Sequence, residues 1–251
     1  MSGHSKWAQI KRKKAKTDAQ RGKLFTRLSR EIIMAARQGG SDPEANFRLK
    51  TAIQRAREAN IPFDNIQRAI QKGSGEIGGG NYEEVVYEGY GPGGVAVLIK
   101  VTTDNRHRTA SEVRHVLSRN GGSLGESGCV SWLFQEKGLI LVGKDSGFSE
   151  EDLLLLALES GAEDLKQVED GFEITTAPEE FLRLKAGLEE QGVPVEEAEI
   201  VSVPQTTVPV EGEDAARVLR LVQSLEELDD VEEVFANFDI PTEFLEGATE
   251  R

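Results

Sequence analysis

The N-terminal segment of this chain carries a dense run of cations whose chemistry suits a polyanion. Residues 5–16 hold six Lys and Arg side chains and no acid. Such cations displace condensed counterions from a phosphate backbone, which gives salt-sensitive affinity with little sequence preference. An aromatic ring in the same run can stack on an unpaired base, at about 1–3 kcal/mol per base. The candidate contacts in this segment are Lys6, Trp7, Lys11, Arg12, Lys13, Lys14 and Lys16. The alternatives are a solvated tail and a segment that docks on the protein's own acidic surface.

More cations follow on a predicted helix over residues 18–38. Its apolar residues recur at helical spacing and form one face, which predicts the side that packs in a core. Arg21, Lys23, Arg27 and Arg30 continue the cationic track. Arg27 and Arg30 fall opposite the apolar stripe, so we expect both to face outward and to be available for phosphate contacts.

A second cationic site is predicted at a strand-to-helix junction. Arg106 and Arg108 follow Thr102-Thr103-Asp104-Asn105, which reads as a strand end and a helix cap. A helix N-terminus with added arginines attracts anions. The alternative is an ordinary capped helix with surface arginines.

The remaining motifs do not support catalysis or metal binding. The stretch from Gly73 to Gly78 matches G-x-G-x-x-G, but a predicted helix precedes it and a strand follows, whereas a dinucleotide site needs the reverse order. The three histidines lack metal-ligand spacing, and Cys129 has no evident base partner. We therefore expect no enzyme activity, no metal, no cofactor and no small-molecule substrate.

The charge is distributed very unevenly along the chain. Residues 1–72 contain 17 Lys and Arg against 6 Asp and Glu, a net charge of +11, while the other 179 residues carry −25. The overall charge of −14 therefore hides a strongly basic first third. Such asymmetry indicates a polyanion partner or an internal electrostatic contact.

Composition narrows the class of protein further. The 251 residues suffice for one to three domains with real cores, and a single cysteine excludes a disulfide framework. No apolar run approaches the roughly 20 residues of a membrane span, and no apolar stretch of the secretory type follows the basic N-terminus. The expectation is a cytoplasmic protein without a membrane partner.

Three helices are predicted in the first domain, residues 1–80. After the helix over 18–38, Asp42-Pro43 is interpreted as the N-cap and first position of a second helix, and Pro62 opens a third. Residues 73–80 read as a glycine-rich linker.

An α+β multidomain fold is predicted for the whole chain. After the linker, β-branched residues at period two indicate strands over 84–88, 95–103 and 129–134, with a helix over 106–119. Residues 137–205 follow the order βαββαβ, the pattern of a ferredoxin-like unit, and carry much of the acid. We predict that this acidic domain is inserted into a discontinuous α/β domain made of residues 81–136 and 206–251.

Several motifs in register resemble the YebC family. They are Gly3-His4-Ser5-Lys6-Trp7, Ile10-Lys11 through Lys16, Thr102–Arg106, Arg119-Asn120-Gly121-Gly122, Leu124-Gly125 and Val130–Phe134. Cys129 departs from the small residue expected there. The resemblance implies a helical N-terminal domain and two α/β domains, one inserted in the other. It also implies either a DNA-binding transcriptional regulator or, as in mitochondrial relatives, a translational activator.

Three functional hypotheses follow. The first is a transcriptional regulator that binds DNA through the basic N-terminal domain. The second is a translation factor that binds RNA on the ribosome, since RNA also offers phosphates and unstacked bases. The third is a protein-interaction module whose basic arm binds acidic protein surfaces, including its own. In the first two, the acidic domains would face the transcription or translation machinery.

Overall fold

The computed structural model describes residues 18–78, 82–168 and 171–240. Residues 131–207 form one compact unit, and the described residues on both sides of it form the other. The predicted α+β class, with three helices followed by mixed α/β sheets, is confirmed. The seven candidate residues between Lys6 and Lys16 lie outside the described residues.

Three helices form the N-terminal bundle: α1 (Asp18–Gly39), α2 (Phe47–Glu58) and α3 (Phe63–Ser74). Their apolar stripes meet in a core around Ile32, Leu49 and Ile66, which are almost fully buried. Removing such side chains from water is the main stabilisation of a bundle of short helices.

The predicted start of the second helix at Asp42-Pro43 is wrong, because α2 begins at Phe47. The N-cap is Asn46, whose side-chain oxygen accepts from the Leu49 amide at 3.1 Å. Its Nδ2 donates to the Ala35 carbonyl at 2.7 Å, so one buried amide joins the end of α1 to the start of α2. Asp42 instead forms a turn, in which its carboxylate accepts from the Glu44 amide at 3.0 Å.

The predicted linker also begins too early, because Gly73 and Ser74 belong to α3. Gly73 is buried against α1, where an added Cβ would lie 2.5 Å from the Ile33 carbonyl oxygen. Glycine is therefore required here by close helix packing rather than by flexibility. The helix ends at Gly75, whose φ of 83° is left-handed.

A four-stranded antiparallel sheet follows. Its strands are β1 (Glu83–Tyr90), β2 (Ala96–Thr103), β3 (Ser123–Leu124) and β9 (Val231–Ala236). They are paired in the order β3-β1-β2-β9. Helices α4 (Arg106–Arg119) and α7 (Gly212–Glu226) contribute Val113, Leu117, Val218 and Leu221 to the core of this sheet. Strands β8 (Val208–Pro209) and β10 (Phe238–Asp239) form a separate, two-stranded parallel sheet, and Phe238 belongs to the same core. A strand from the C-terminal part of the chain thus pairs with β2.

The predicted strand over 129–134 is wrong. Residues Ser131–Leu133 form a single 3-10 turn, and the strand starts only at Phe134. The cause is a tertiary contact, since the buried carboxylate of Glu88 on β1 accepts from the amides of Gly128 and Val130, each at 2.7 Å. These bonds hold the segment before Ser131 as a loop.

The unit of residues 131–207 has the predicted βαββαβ order. Its elements are β4 (Phe134–Gly143), α5 (Glu150–Glu159), β5 (Asp164–Val168), β6 (Gly171–Thr176), α6 (Phe181–Glu190) and β7 (Val195–Pro204). The antiparallel strand order β5-β6-β4-β7 places the first and third strands in the centre, as a ferredoxin-like unit requires. Its core contains Ile140, Leu153, Ile174, Leu184 and Leu188.

Candidate nucleic-acid interface

Asp230 is a buried carboxylate that contacts two of the predicted site residues, Arg30 and Arg108. It lies immediately before β9 and is 3% exposed. Its Oδ2 accepts from Arg108 Nη2 at 2.6 Å, from Thr109 Oγ1 at 2.7 Å and from Thr103 Oγ1 at 3.1 Å. Its Oδ1 lies 3.5 Å from Arg30 Nη2. Burial by itself would raise the pKa of Asp230, but the hydrogen bonds from Arg108, Thr109 and Thr103 outweigh it and lower that pKa.

A second carboxylate of the same segment pairs with α1. Glu232 Oε2 lies 3.2 Å from Arg27 Nε, while Glu232 Oε1 is buried without a hydrogen-bond partner among the described residues. Burial raises the pKa of Glu232 to about 7, and the nearby guanidinium of Arg27 offsets this only in part. An orphaned, desolvated oxygen disfavours the ionised form, which agrees with that direction.

Backbone carbonyls complete this contact with α1. Arg30 Nη1 donates to the carbonyl of Asp229 at 2.6 Å, and Lys23 Nζ donates to the carbonyl of Glu227. Residues 227–232, which we call the acidic turn, therefore contact the face of α1 that carries Lys23, Arg27 and Arg30. This pairing is an instance of the internal electrostatic contact that the charge asymmetry indicated.

The outward placement of Arg27 and Arg30 is therefore wrong. The Arg30 side chain is only 14% exposed, and both guanidiniums already have acidic partners. The physical reason is tertiary, because the acidic turn, which runs from the end of α7 into β9, comes from about 200 residues further along the chain. Lys23 also donates to a backbone carbonyl of the acidic turn. Arg21 lies in the first turns of α1.

Helix α4 starts as the sequence predicted. Its N-cap is Asn105, whose side chain accepts from the Arg108 amide at 3.1 Å. Arg106 is exposed, 3.8 Å from Glu83 Oε2. Arg108 is bound by Asp230 and also donates to Asp104 Oδ1 at 3.0 Å. Of the two predicted arginines, Arg108 is thus a structural partner of Asp230, whereas the ion pair of Arg106 with Glu83 is long and exposed.

Sequence reasoning missed the exposed cations that have no acidic partner within 4 Å among the described residues. On the bundle and on α4 they are Arg57 on α2, Arg68 and Lys72 on α3, and Arg114 and Arg119 on α4. A usable signal was present, since Arg68 and Lys72 are four residues apart and lie away from Ile66 and Ile70, which are buried. These side chains are available for phosphate contacts in a way that Arg27 and Arg30 are not.

The structure offers little support for other chemistry. Within the described ranges, no three His, Cys, Asp or Glu side chains converge as metal ligands. Burial, aided by Glu88, raises the pKa of the Cys129 thiol, which disfavours the thiolate that a nucleophile requires. No helix of the described part is both long and apolar enough to cross a bilayer.

Comparison with known proteins identifies the family across nearly the whole chain. A family model described as the TACO1/YebC protein N-terminal domain matches residues 5–76. A second model, the TACO1/YebC second and third domain, matches residues 82–238. The first match covers the cationic segment and the bundle, and the second covers both sheets.

Full-length relatives bear a regulatory name. A protein of Pelotomaculum thermopropionicum called "Probable transcriptional regulatory protein" is 65% identical, over 96% of this chain and 99% of its own length. Proteins of the same name from Desulforamulus reducens and Aquifex aeolicus are 59% and 57% identical, over 95% and 98% of this chain and 99% of each relative.

A solved structure has the same fold. It is the crystal structure of a conserved hypothetical protein from Aquifex aeolicus, 56% identical, with a TM-score of 0.82 over 90% of this chain and 93% of that one. The YebC resemblance seen in the sequence is therefore confirmed, and the chain belongs to the TACO1/YebC family.

Proposed function

We propose that this protein is a non-enzymatic regulator of gene expression that binds duplex DNA through its cationic N-terminal third. The observation that carries the proposal is the charge of +11 on residues 1–72 against −25 on the rest. The regulatory name of the full-length relatives supports the same class of function.

The contacts of α1 support a narrower set of phosphate-binding cations. The acidic turn already occupies Arg27 and Arg30, so phosphate contacts fall to the arm of residues 5–16 and to the exposed cations of the bundle, Arg57, Arg68 and Lys72. Phosphate contacts position a protein on a duplex without reading its sequence. We therefore expect affinity that depends strongly on salt and weakly on sequence.

The acidic remainder has a definite role in this proposal. Within the same compact unit, residues 227–232 bind cations of α1 and so hold the bundle against the sheet. The other acidic residues repel phosphate, which directs a duplex toward the basic N-terminal third. The acidic ferredoxin-like domain, predicted over residues 137–205, is left to contact proteins of the transcription machinery.

The test is a titration of the full chain, followed by fluorescence anisotropy. The probes are a labelled 30-bp DNA duplex from upstream of its own gene and an RNA of the same sequence, at about 100 mM salt, where phosphate contacts still contribute strongly. Binding to the duplex that weakens steeply with salt supports the proposal. Absence of DNA binding contradicts it, and binding to RNA alone would favour a translation factor.

A further inference from the structure

The exposed face of α4 is the most concentrated cationic surface among the described residues outside the bundle. This 14-residue helix carries four arginines and two histidines against one acid, Glu112. Its opposite face is fixed, because Thr109, Val113 and Leu117 are buried and the latter two belong to the core of the sheet. The helix cannot rotate, so the exposed side chains on the other face are held toward solvent.

Two of the arginines are engaged and two are not. Arg108 is bound to Asp230 and Asp104, and Arg106 lies 3.8 Å from Glu83. Arg114 and Arg119 are exposed, and neither has an acidic side chain within 4 Å in the described ranges. The fold therefore holds these two guanidiniums on a rigid element without an acidic partner in the described part of the chain.

Helical geometry places polar donors between the two free arginines. At 100° per residue, Arg114 and Arg119 fall on the two sides of a stripe formed by exposed His107, Ser111, His115 and Ser118. The arginines are separated by about 7.5 Å along the axis, at about 1.5 Å per residue. Guanidinium groups on both flanks can therefore engage neighbouring phosphates.

The same face lacks what a protein partner would need. None of the large hydrophobic residues exposed in the described part of the chain lies on α4. Protein interfaces depend on buried apolar or aromatic anchors at their centre, whereas phosphate contacts do not. The unneutralised charge and the polar stripe match a polyanion.

We infer that the exposed face of α4 is a second phosphate-binding surface, which contacts the sugar-phosphate backbone of the nucleic acid bound by the N-terminal third. This inference rests on the proposed function, and it adds Arg114 and Arg119 as contacts, with His107, Ser111, His115 and Ser118 as neighbouring donors. Arg108 is excluded from this set because its guanidinium donates to Asp230, immediately before β9.

The test compares full-length wild type with Arg114→Gln/Arg119→Gln on 30-bp DNA and RNA duplexes of one sequence, between 50 and 300 mM KCl. The matched control is Arg183→Gln/Arg217→Gln, which removes the same charge from exposed arginines already paired with acids. Each lost phosphate contact flattens the log–log salt slope by about 0.9 on B-DNA. The double variant should therefore lose about 1.8 in slope, and the control none. All three proteins should melt at the same temperature.

The outcomes separate the two proposals. A wild-type slope in the double variant, with intact DNA binding, overturns the role of α4 and leaves the proposed function standing. Binding to RNA alone, weakened in the double variant, contradicts the DNA regulator but supports the α4 surface. If wild type binds neither duplex, both proposals fail.

Discussion

Oδ1 of Asp230 lies 3.5 Å from Nη2 of Arg30, which joins the carboxylate before β9 to the second half of α1. The guanidinium lies at the centre of a contact between the bundle and the sheet, since it also donates to the carbonyl of Asp229. A cation that would otherwise serve as a phosphate ligand is thus part of the tertiary structure. This relationship determines what substitutions on α1 should do.

Arg30→Gln should destabilise the fold rather than act on nucleic-acid affinity alone. Its removal leaves buried Asp230 with less charge compensation and the Asp229 carbonyl without this donor. The free energy of unfolding should therefore fall by about 1–3 kcal/mol. Urea denaturation measures it. Arg68→Gln is the control, since Arg68 is exposed and its substitution should change stability by no more than about 0.5 kcal/mol. Equal stabilities of the two variants would contradict the structural role of Arg30.

Asp230→Asn should weaken the fold in a pH-dependent manner. Thr103 and Thr109 donate to this carboxylate. The variant should therefore have a free energy of unfolding about 1–3 kcal/mol lower at pH 7. The folded-state pKa of Asp230 is lowered, so its contribution is complete above the unfolded value of about 3.9 and is lost as the pH falls through the folded value. The stability gap between wild type and variant should therefore shrink on acidification. A gap that stays constant from pH 7 to pH 3 would refute this.

Glu232 should produce the opposite pH dependence. Its folded-state pKa is about 7, above the ordinary value of 4.5, so folding takes up a proton between these values. The contribution of Glu232 to the free energy of unfolding is complete below about pH 4.5 and is lost as the pH rises toward 7. This loss is roughly 3 kcal/mol at most. Glu232→Gln has no proton to exchange, so wild type should lose stability relative to this variant between pH 5 and 7.5. Parallel stability profiles of the two proteins would show that Glu232 does not titrate there.

Gly73→Ala should destabilise the bundle although alanine favours helices. The new Cβ would lie 2.5 Å from the Ile33 carbonyl oxygen and 2.6 Å from the Ala36 Cβ, so α1 and α3 must separate. Overpacking costs about 1–3 kcal/mol, against about 1 kcal/mol gained in helix propensity. Gly22→Ala is the matched control, because nothing lies within 4 Å of its Cβ position. Thermal melts should move in opposite directions, and a stabilised Gly73 variant would be inconsistent with the close helix contact.

Local patterns predicted those elements whose residues act on their neighbours in sequence. The apolar stripe of α1, a cap of α4 at Asp104 or Asn105 and the βαββαβ order of the acidic unit all follow from periodicity and turn chemistry. The exposed arginines of α4 could also have been found in this way, from their spacing against Val113 and Leu117.

The features that sequence reasoning missed depend on contacts between distant segments. Asn46 caps α2 while it bonds to the end of α1, and Glu88 holds the amides around residue 129 in a loop. The pairing of Arg27 with Glu232 joins residues 205 positions apart. Local sequence patterns do not indicate such distant partners. The contacts of the α1 cations with the acidic turn were therefore found only in the structure. The predicted domain boundaries stay a prediction.

The central claim is that the amino-terminal cations bind the nucleic acid. Its most direct test is the salt dependence of duplex DNA binding by a full-length charge variant. Lys11→Gln/Arg12→Gln/Lys13→Gln/Lys14→Gln removes four arm charges. Lys144→Gln/Lys166→Gln/Arg183→Gln/Arg217→Gln removes four exposed charges elsewhere and serves as the control.

If each of the four arm cations contacts a phosphate, the arm variant should lose about 3.6 in log–log slope, while the control keeps the wild-type slope. An arm variant that binds the duplex with the affinity and slope of wild type would contradict the account.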